Sequence, residues 1–101
     1  MEKYSFLIID SLHPVLIKKL NQANIDTDYF PDISKNEILK KIHLYDGIIV
    51  RSKLNIDSTI IEKAKNLKVI GRLGSGMENI DIQYAQKKDI FCCNAPEGNR
   101  N

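Results

Sequence analysis

Gly47-Ile48-Ile49-Val50-Arg51-Ser52 opens with four residues that carry no polar side chain and then stops on two that do. A short apolar run rich in β-branched residues is the pattern of a strand buried on both faces, as in the middle of a parallel sheet. This segment is therefore expected to be a central strand, with Arg51 and Ser52 emerging at its carboxyl end. Upstream, Ser34-Lys35-Asn36-Glu37 is a capping box. The serine hydroxyl accepts from a first-turn amide and the glutamate reaches back to the serine amide. Ile38 and Ile42 then fall one turn apart on the inner face of that helix. Downstream, Asp57 is placed to cap a further helix through Ile60, Ile61 and Ala64.

The same alternation continues outward. Tyr4 to Ile9 reads as a buried strand ended by Asp10, and Pro14 suits the first turn of a helix with Leu16, Leu20 and Ala23 on one face. Asp26 to Phe30 reads as a second strand stopped by Pro31. Lys68 to Gly71 reads as a fourth, followed by a glycine-rich turn, a helix from about Asp81, and a last strand from Ile90 to Cys93. Strands alternating with helices imply parallel pairing. The expected fold class is α/β, a flavodoxin-like doubly wound parallel sheet of about five strands with helices on both faces and order 2-1-3-4-5. A two-layer α/β arrangement is the alternative.

Composition narrows the function. With 101 residues the chain has the length of one domain, and 43% hydrophobic residues suffice for a core. The 15 basic and 13 acidic residues leave a charge of only +2, with no basic stripe and no aromatic interleaving, so nucleic acid is not an expected partner. No window is apolar and long enough to span a bilayer, and Met1-Glu2-Lys3 does not open a signal peptide. No membrane association and a cytoplasmic location are expected. Cys92 and Cys93 are adjacent, which suits neither a disulfide nor a zinc site, and they read as two small buried hydrophobes. No metal is expected. His13 precedes Pro14 at a helix start and His43 lies near the end of the second helix; neither stands beside a carboxylate or cysteine in a catalytic spacing, so structural or surface roles are expected for both.

In an open parallel sheet, ligands gather beyond the carboxyl ends of the strands. Three such ends are polar or glycine-rich: Arg51-Ser52, Gly71-Arg72-Leu73-Gly74-Ser75-Gly76, and Asn94-Ala-Pro-Glu-Gly-Asn99. Glycine lets backbone amides approach a ligand and cradle an anion, and arginine adds a two-pronged donor. Together the loops suggest a small anionic ligand. Each also has a plainer explanation: Arg51 as a strand-end charge, the glycines as a turn needing positive φ, Asn99 as a turn residue. The G-x-x-G-x-G spacing is not a dinucleotide fingerprint, because its order is wrong and it follows the fourth strand.

Three segments carry a family resemblance. Gly47-Ile-Ile-Val-Arg51-Ser52 resembles the "V-R-S" strand end of 3-phosphoglycerate dehydrogenases. Leu67-Lys-Val-Ile-Gly-Arg72-Leu-Gly74-Ser75-Gly76-Met-Glu-Asn79-Ile-Asp81 resembles their "LKVIGRAGVGVDNID". Asp89-Ile-Phe-Cys-Cys-Asn94-Ala-Pro96-Glu-Gly98-Asn99 resembles "GIxVxNAPxGN". The segments follow in the family's order over about the second half of the chain, while the first half agrees only in its strand and helix pattern. The chain thus resembles the N-terminal part of the substrate-binding, so-called catalytic, domain of the NAD-dependent D-isomer-specific 2-hydroxyacid dehydrogenases.

The resemblance implies roles position by position. Arg51 and Ser52 match residues that face the substrate and hold its distal anionic group. Gly74, Ser75 and Gly76 match the turn whose amides hold the substrate carboxylate, Ser75 also matches a cofactor-contacting position, and Asn99 matches an asparagine lining the cleft. Met77-Glu78 stands where "V-D" is usual, and Asp89 replaces a usual glycine, which puts the local turn in doubt. The family's G-x-G-x-x-G fingerprint, its ribose-binding acid and its catalytic arginine, glutamate and histidine have no counterpart here. The expectation is therefore a truncated domain, residues 1–101, without the nucleotide-binding domain and inactive alone. The resemblance implies oxidoreduction between D-2-hydroxy acids and 2-keto acids with NAD, a place in serine biosynthesis, and a homodimer or higher assembly of the full-length protein. A stand-alone anion-binding or regulatory domain is the competing expectation.

Overall fold

A computed structural model describes residues 3–52, 54–74 and 76–95. The elements alternate as expected: β1 (Tyr4–Ile8), α1 (Pro14–Gln22), β2 (Ile25–Tyr29), α2 (Lys35–Lys41), β3 (Gly47–Val50), α3 (Ser58–Lys63), β4 (Val69–Leu73), α4 (Ile82–Lys87) and β5 (Phe91–Ala95). The strands form one parallel sheet in the order β2-β1-β3-β4-β5. β3 is central and every residue in it is buried. The helix starts are chemically specified. Ser34 and Glu37 form the capping box of α2, the Asp57 carboxylate accepts from the Ile60 amide, and that of Asp81 accepts from the Tyr84 amide. His13 caps α1 through Nδ1, which accepts from the Val15 amide at 3.1 Å.

The winding explains the layers. The chain moves from β1 to β2 in one direction and from β3 to β5 in the other. Right-handed crossovers then place α1 on one face and α2, α3 and α4 on the opposite face. Leu7, Ile48, Val50 and Ile70 from the sheet join Ile38, Ile60, Ile61 and Ala85 from those three helices in a single core cluster. Ile8 and Ile49 point the other way and lie outside that cluster.

Two details differ from the sequence expectation. β4 runs on through Arg72 and Leu73, because the ladder to β3 and β5 continues past Gly71: Arg72 pairs with Val50 and with Asn94. Cys93 is exposed and Cys92 only half-buried, not two buried hydrophobes: β5 is an edge strand, Cys92 packs at the margin of the three-helix core, and Cys93 points to the other face, where no helix covers β5 among the described residues. Asp89, where the resembled segment has glycine, has φ 61°, a left-handed conformation that glycine adopts freely and aspartate tolerates. Among the described residues no helix is long and apolar enough to cross a membrane.

Candidate functional site

The winding reverses between β1 and β3, so the loops that leave their carboxyl ends turn to opposite sides of the sheet, the place where such folds bind ligands. Asp10, directly after β1, is a buried carboxylate there, only 9% exposed. Its Oδ2 accepts from the Arg51 amide at 2.6 Å, and Arg51 Nη1 donates to the Ser11 carbonyl at 3.0 Å. The end of β3 is thus stitched across to the end of β1, and the Arg51 guanidinium is held against the loop that follows β1. Ser52 follows in an exposed bend.

One strand further along, Arg72 leaves the end of β4 half-buried. Its Nε donates to Asn79 Oδ1 at 2.8 Å and its Nη1 to the Leu73 carbonyl at 2.7 Å. Asn79 Nδ2 in turn donates to the carbonyls of Arg51 at 3.2 Å and Leu54 at 3.0 Å. The chain next to Asn79 is also anchored: its carbonyl accepts from the Ile56 amide at 2.7 Å, and Ile56 and Ile80 form an isolated parallel bridge. Gly74 and Gly76 have φ of 125° and 81°, so both glycines satisfy a backbone that L side chains rarely adopt. A β-carbon at Gly74 would lie 2.3 Å from Arg72 Nη1, which shows how closely the guanidinium lies against this turn. Asn94 from β5 donates to the Gly74 carbonyl at 3.2 Å and ties the turn to the edge strand.

Of the residues singled out in the sequence, Arg51, Ser52, Gly74 and Gly76 stand at the carboxyl edge of neighbouring strands. Ser75 and Asn99 lie outside the described residues. Three participants were not singled out. Asp10 carries a signal, an acidic residue directly after the apolar run Phe6 to Ile9, but by itself that signal marks only a strand end. Arg72 was read into a turn because Gly71 and Gly74 flank it. Asn79 carried no local signal, since its partners lie as far as 28 residues away in sequence.

An open cleft of about 510 Å³ lies beyond β2, lined by Phe30, Ile33, Glu37, Lys40 and Lys41 among others, with the Lys41 ammonium 4.1 Å from the centre of the Phe30 ring. No group of three or more His, Cys, Asp or Glu side chains converges as a metal site would require among the described residues.

The chain is similar to known proteins along nearly its whole length. It is 41% identical to the D-3-phosphoglycerate dehydrogenase of Methanocaldococcus jannaschii over 91 residues, which is 90% of this chain and 17% of that protein. With the D-3-phosphoglycerate dehydrogenase of Archaeoglobus fulgidus it shares 34% over 93 residues, 92% of this chain and 18% of the relative. The chain therefore spans less than a fifth of the length of these relatives. A crystal structure of 3-phosphoglycerate dehydrogenase from Entamoeba histolytica with NAD+ bound superposes with a TM-score of 0.83 at 26% identity, covering 92% of this chain and 33% of that one. Residues 6–101 match the family model described as D-isomer specific 2-hydroxyacid dehydrogenase, catalytic domain. With this match and the sheet order in agreement, the chain belongs to the D-isomer specific 2-hydroxyacid dehydrogenase family.

Proposed function

We propose that this chain is the first part of the substrate domain of an NAD-dependent D-2-hydroxyacid dehydrogenase of the 3-phosphoglycerate type. In this role it binds an anionic 2-hydroxy or 2-keto acid and leaves hydride transfer to residues of a longer protein. The observation that carries the reading is the pairing of a positive-φ glycine turn with guanidinium groups on neighbouring strand ends. Gly74 and Gly76 carry no side chain, and backbone amides at this turn receive the substrate carboxylate. Arg51, with Ser52, faces the distal anionic group, and Arg72 adds positive charge beside the turn. Ser75 meets both substrate and cofactor, and Asn99 lines the cleft; both assignments rest on the resemblance.

The residues present do not form a dinucleotide cradle. The glycine turn after β4 is separated from the first residue of α4, Ile82, by a loop that includes the Ile56–Ile80 bridge, so no helix N-terminus is offered to a pyrophosphate at the turn. Bound on a separate nucleotide-binding domain, NAD would take up the hydride released from a hydroxy acid, or as NADH return it to a keto acid, and the chain's own residues bind and orient the acid. The relatives' greater length supports that division, as does the absence of a G-x-G-x-x-G motif from the sequence. The same reading places the protein in the cytoplasm, in serine biosynthesis, and as a homodimer or larger assembly in full length.

The test is to express the reading frame as it continues past Asn101 and to follow NADH formation with D-3-phosphoglycerate and other D-2-hydroxy acids. Turnover of the longer product and none by residues 1–101 alone is the expected result. A continuing frame without a nucleotide-binding domain, or turnover of no anionic hydroxy acid, would overturn it.

A further inference from the structure

We propose that Asn79 is a positioning residue: its side-chain amide sets the Arg72 guanidinium against the glycine turn and fastens that turn to the loop that follows Arg51. The proposal rests on the anion-site reading above but concerns a residue to which that reading gives no role. A primary amide has one accepting and one donating end, and Asn79 uses them on different partners. Oδ1 accepts from Arg72 Nε, while Nδ2 donates to the carbonyls of Arg51 and Leu54. Arg51 is consequently gripped at both backbone ends, its amide by Asp10 and its carbonyl by Asn79. The Arg72 guanidinium is oriented by two contacts, Nε to Asn79 and Nη1 to the Leu73 carbonyl. A guanidinium fixed in this way meets an anion without first losing its rotamer freedom, and that pre-organisation favours binding. Half-burial of both Asn79 and Arg72 keeps water from replacing these bonds freely.

The two ends of the amide can be separated by substitution. Asn79→Asp keeps an acceptor for Arg72 Nε and loses the donor to the two carbonyls, whereas Asn79→Ala loses both. The Arg72 Nε–H resonance of this chain, identified by its disappearance in Arg72→Lys, reports the first contact directly. We expect that signal to be protected from solvent exchange in the unaltered chain and in Asn79→Asp, and unprotected in Asn79→Ala. Titration with D-3-phosphoglycerate, and with inorganic phosphate as the simpler anion, should show Kd rising about tenfold or more in Asn79→Ala. The same substitution placed on Arg72→Ala should add less than about twofold, since residues acting through one another are not additive.

A purely structural Asn79 would lower the melting temperature of both variants and leave the affinity of the folded fraction unchanged. That result, or a protected Nε–H in Asn79→Ala, would overturn the proposal. If Asn79→Ala does not fold, Asn79→Asp decides by itself: retained Nε–H protection with weakened anion binding supports the proposal, and loss of protection overturns it. If the unaltered chain binds neither anion but the Nε–H pattern holds, the clamp stands and the substrate reading fails.

Discussion

The two faces of the sheet are built from the same strands and are covered very differently. On the face of α2, α3 and α4, the row Leu7, Ile48, Ile70 is wholly buried from β1 to β4. On the face of α1, the row Ile8, Ile49, Gly71, Cys93 starts fully buried and ends exposed at β5. The parallel row Phe6, Gly47, Val69, Phe91 ends on a phenylalanine that is 67% exposed. The cause is topological. One crossover, α1, lies on the second face, it packs on β2, and none of its residues is buried. The difference teaches that stability resides on the three-helix face, while the second face becomes progressively more exposed from β1 to β5 among the described residues.

Substitutions can break that contrast. Ile48→Ala on the covered face should cost about 3–4 kcal/mol, because a fully buried aliphatic side chain is lost from a cluster that cannot collapse around the gap. Urea denaturation measures this, and a loss below about 1 kcal/mol would mean the cluster is looser than its burial indicates. Gly47→Ala probes the second face where it is still closed. The new β-carbon would sit 2.6 Å from the Phe6 ring, so a destabilisation of about 1–3 kcal/mol is expected. Adding Phe6→Leu should recover part of it, and full additivity in denaturation curves would show that the ring is not the obstacle.

The smaller effects sharpen the comparison. Ser34→Ala removes the capping box of α2 on the covered face and should cost about 1 kcal/mol, measurable by thermal unfolding. Asp57, which caps α3, has its carboxyl held below the usual value of 3.8, first by the Lys35 ammonium that donates to it and then by the backbone amides it accepts from. A lowered folded pKa stabilises the fold above the unfolded pKa and is lost as pH falls through the folded one. Asp57→Asn should therefore flatten the acid limb of the stability profile below about pH 4. An unchanged limb would show that the carboxylate contributes nothing there, and half-exposure of the pair keeps the expected change small. Phe91→Ser should change unfolding by no more than about 0.5 kcal/mol. It should also reduce self-association in light scattering, because the open end of the second face loses its largest apolar group. A large loss of stability instead would show that Phe91 is covered in solution.

Much of the fold was legible in local sequence. The alternation of apolar runs and capped helices located every strand and every helix start within two residues, because caps and periodicity are short-range chemistry. Parallel pairing follows from the alternation of strands with helices, and the order 2-1-3-4-5 is the one expected of the simplest doubly wound sheet. The site was legible in part. Arg51 and the glycines stood out because charge after an apolar run and paired glycines are local signals. The positive φ at Gly74 and Gly76 agrees with glycine's conformational freedom.

What remained hidden depends on partners far apart in the chain. Whether β4 stops at Gly71 or continues through Arg72 is decided by ladder bonds to β3 and β5, which no window around Arg72 contains. Asp10 and Arg51 are 41 residues apart, and only the reversal of winding between β1 and β3 brings them together. Asn79 resembles any loop asparagine until the fold delivers the carbonyls of Arg51 and Leu54 to its amide. The exposure of Cys93 and Phe91 likewise follows from which face the single α1 crossover covers, not from their own apolar character. The sequence by itself determined the class of fold, the helix starts and the chemistry offered at the strand ends, since each is set by neighbours within a turn or two. Register, coverage and the clamp between Arg72, Asn79 and the Arg51 loop were decided only by tertiary structure, because they are properties of strands meeting side by side.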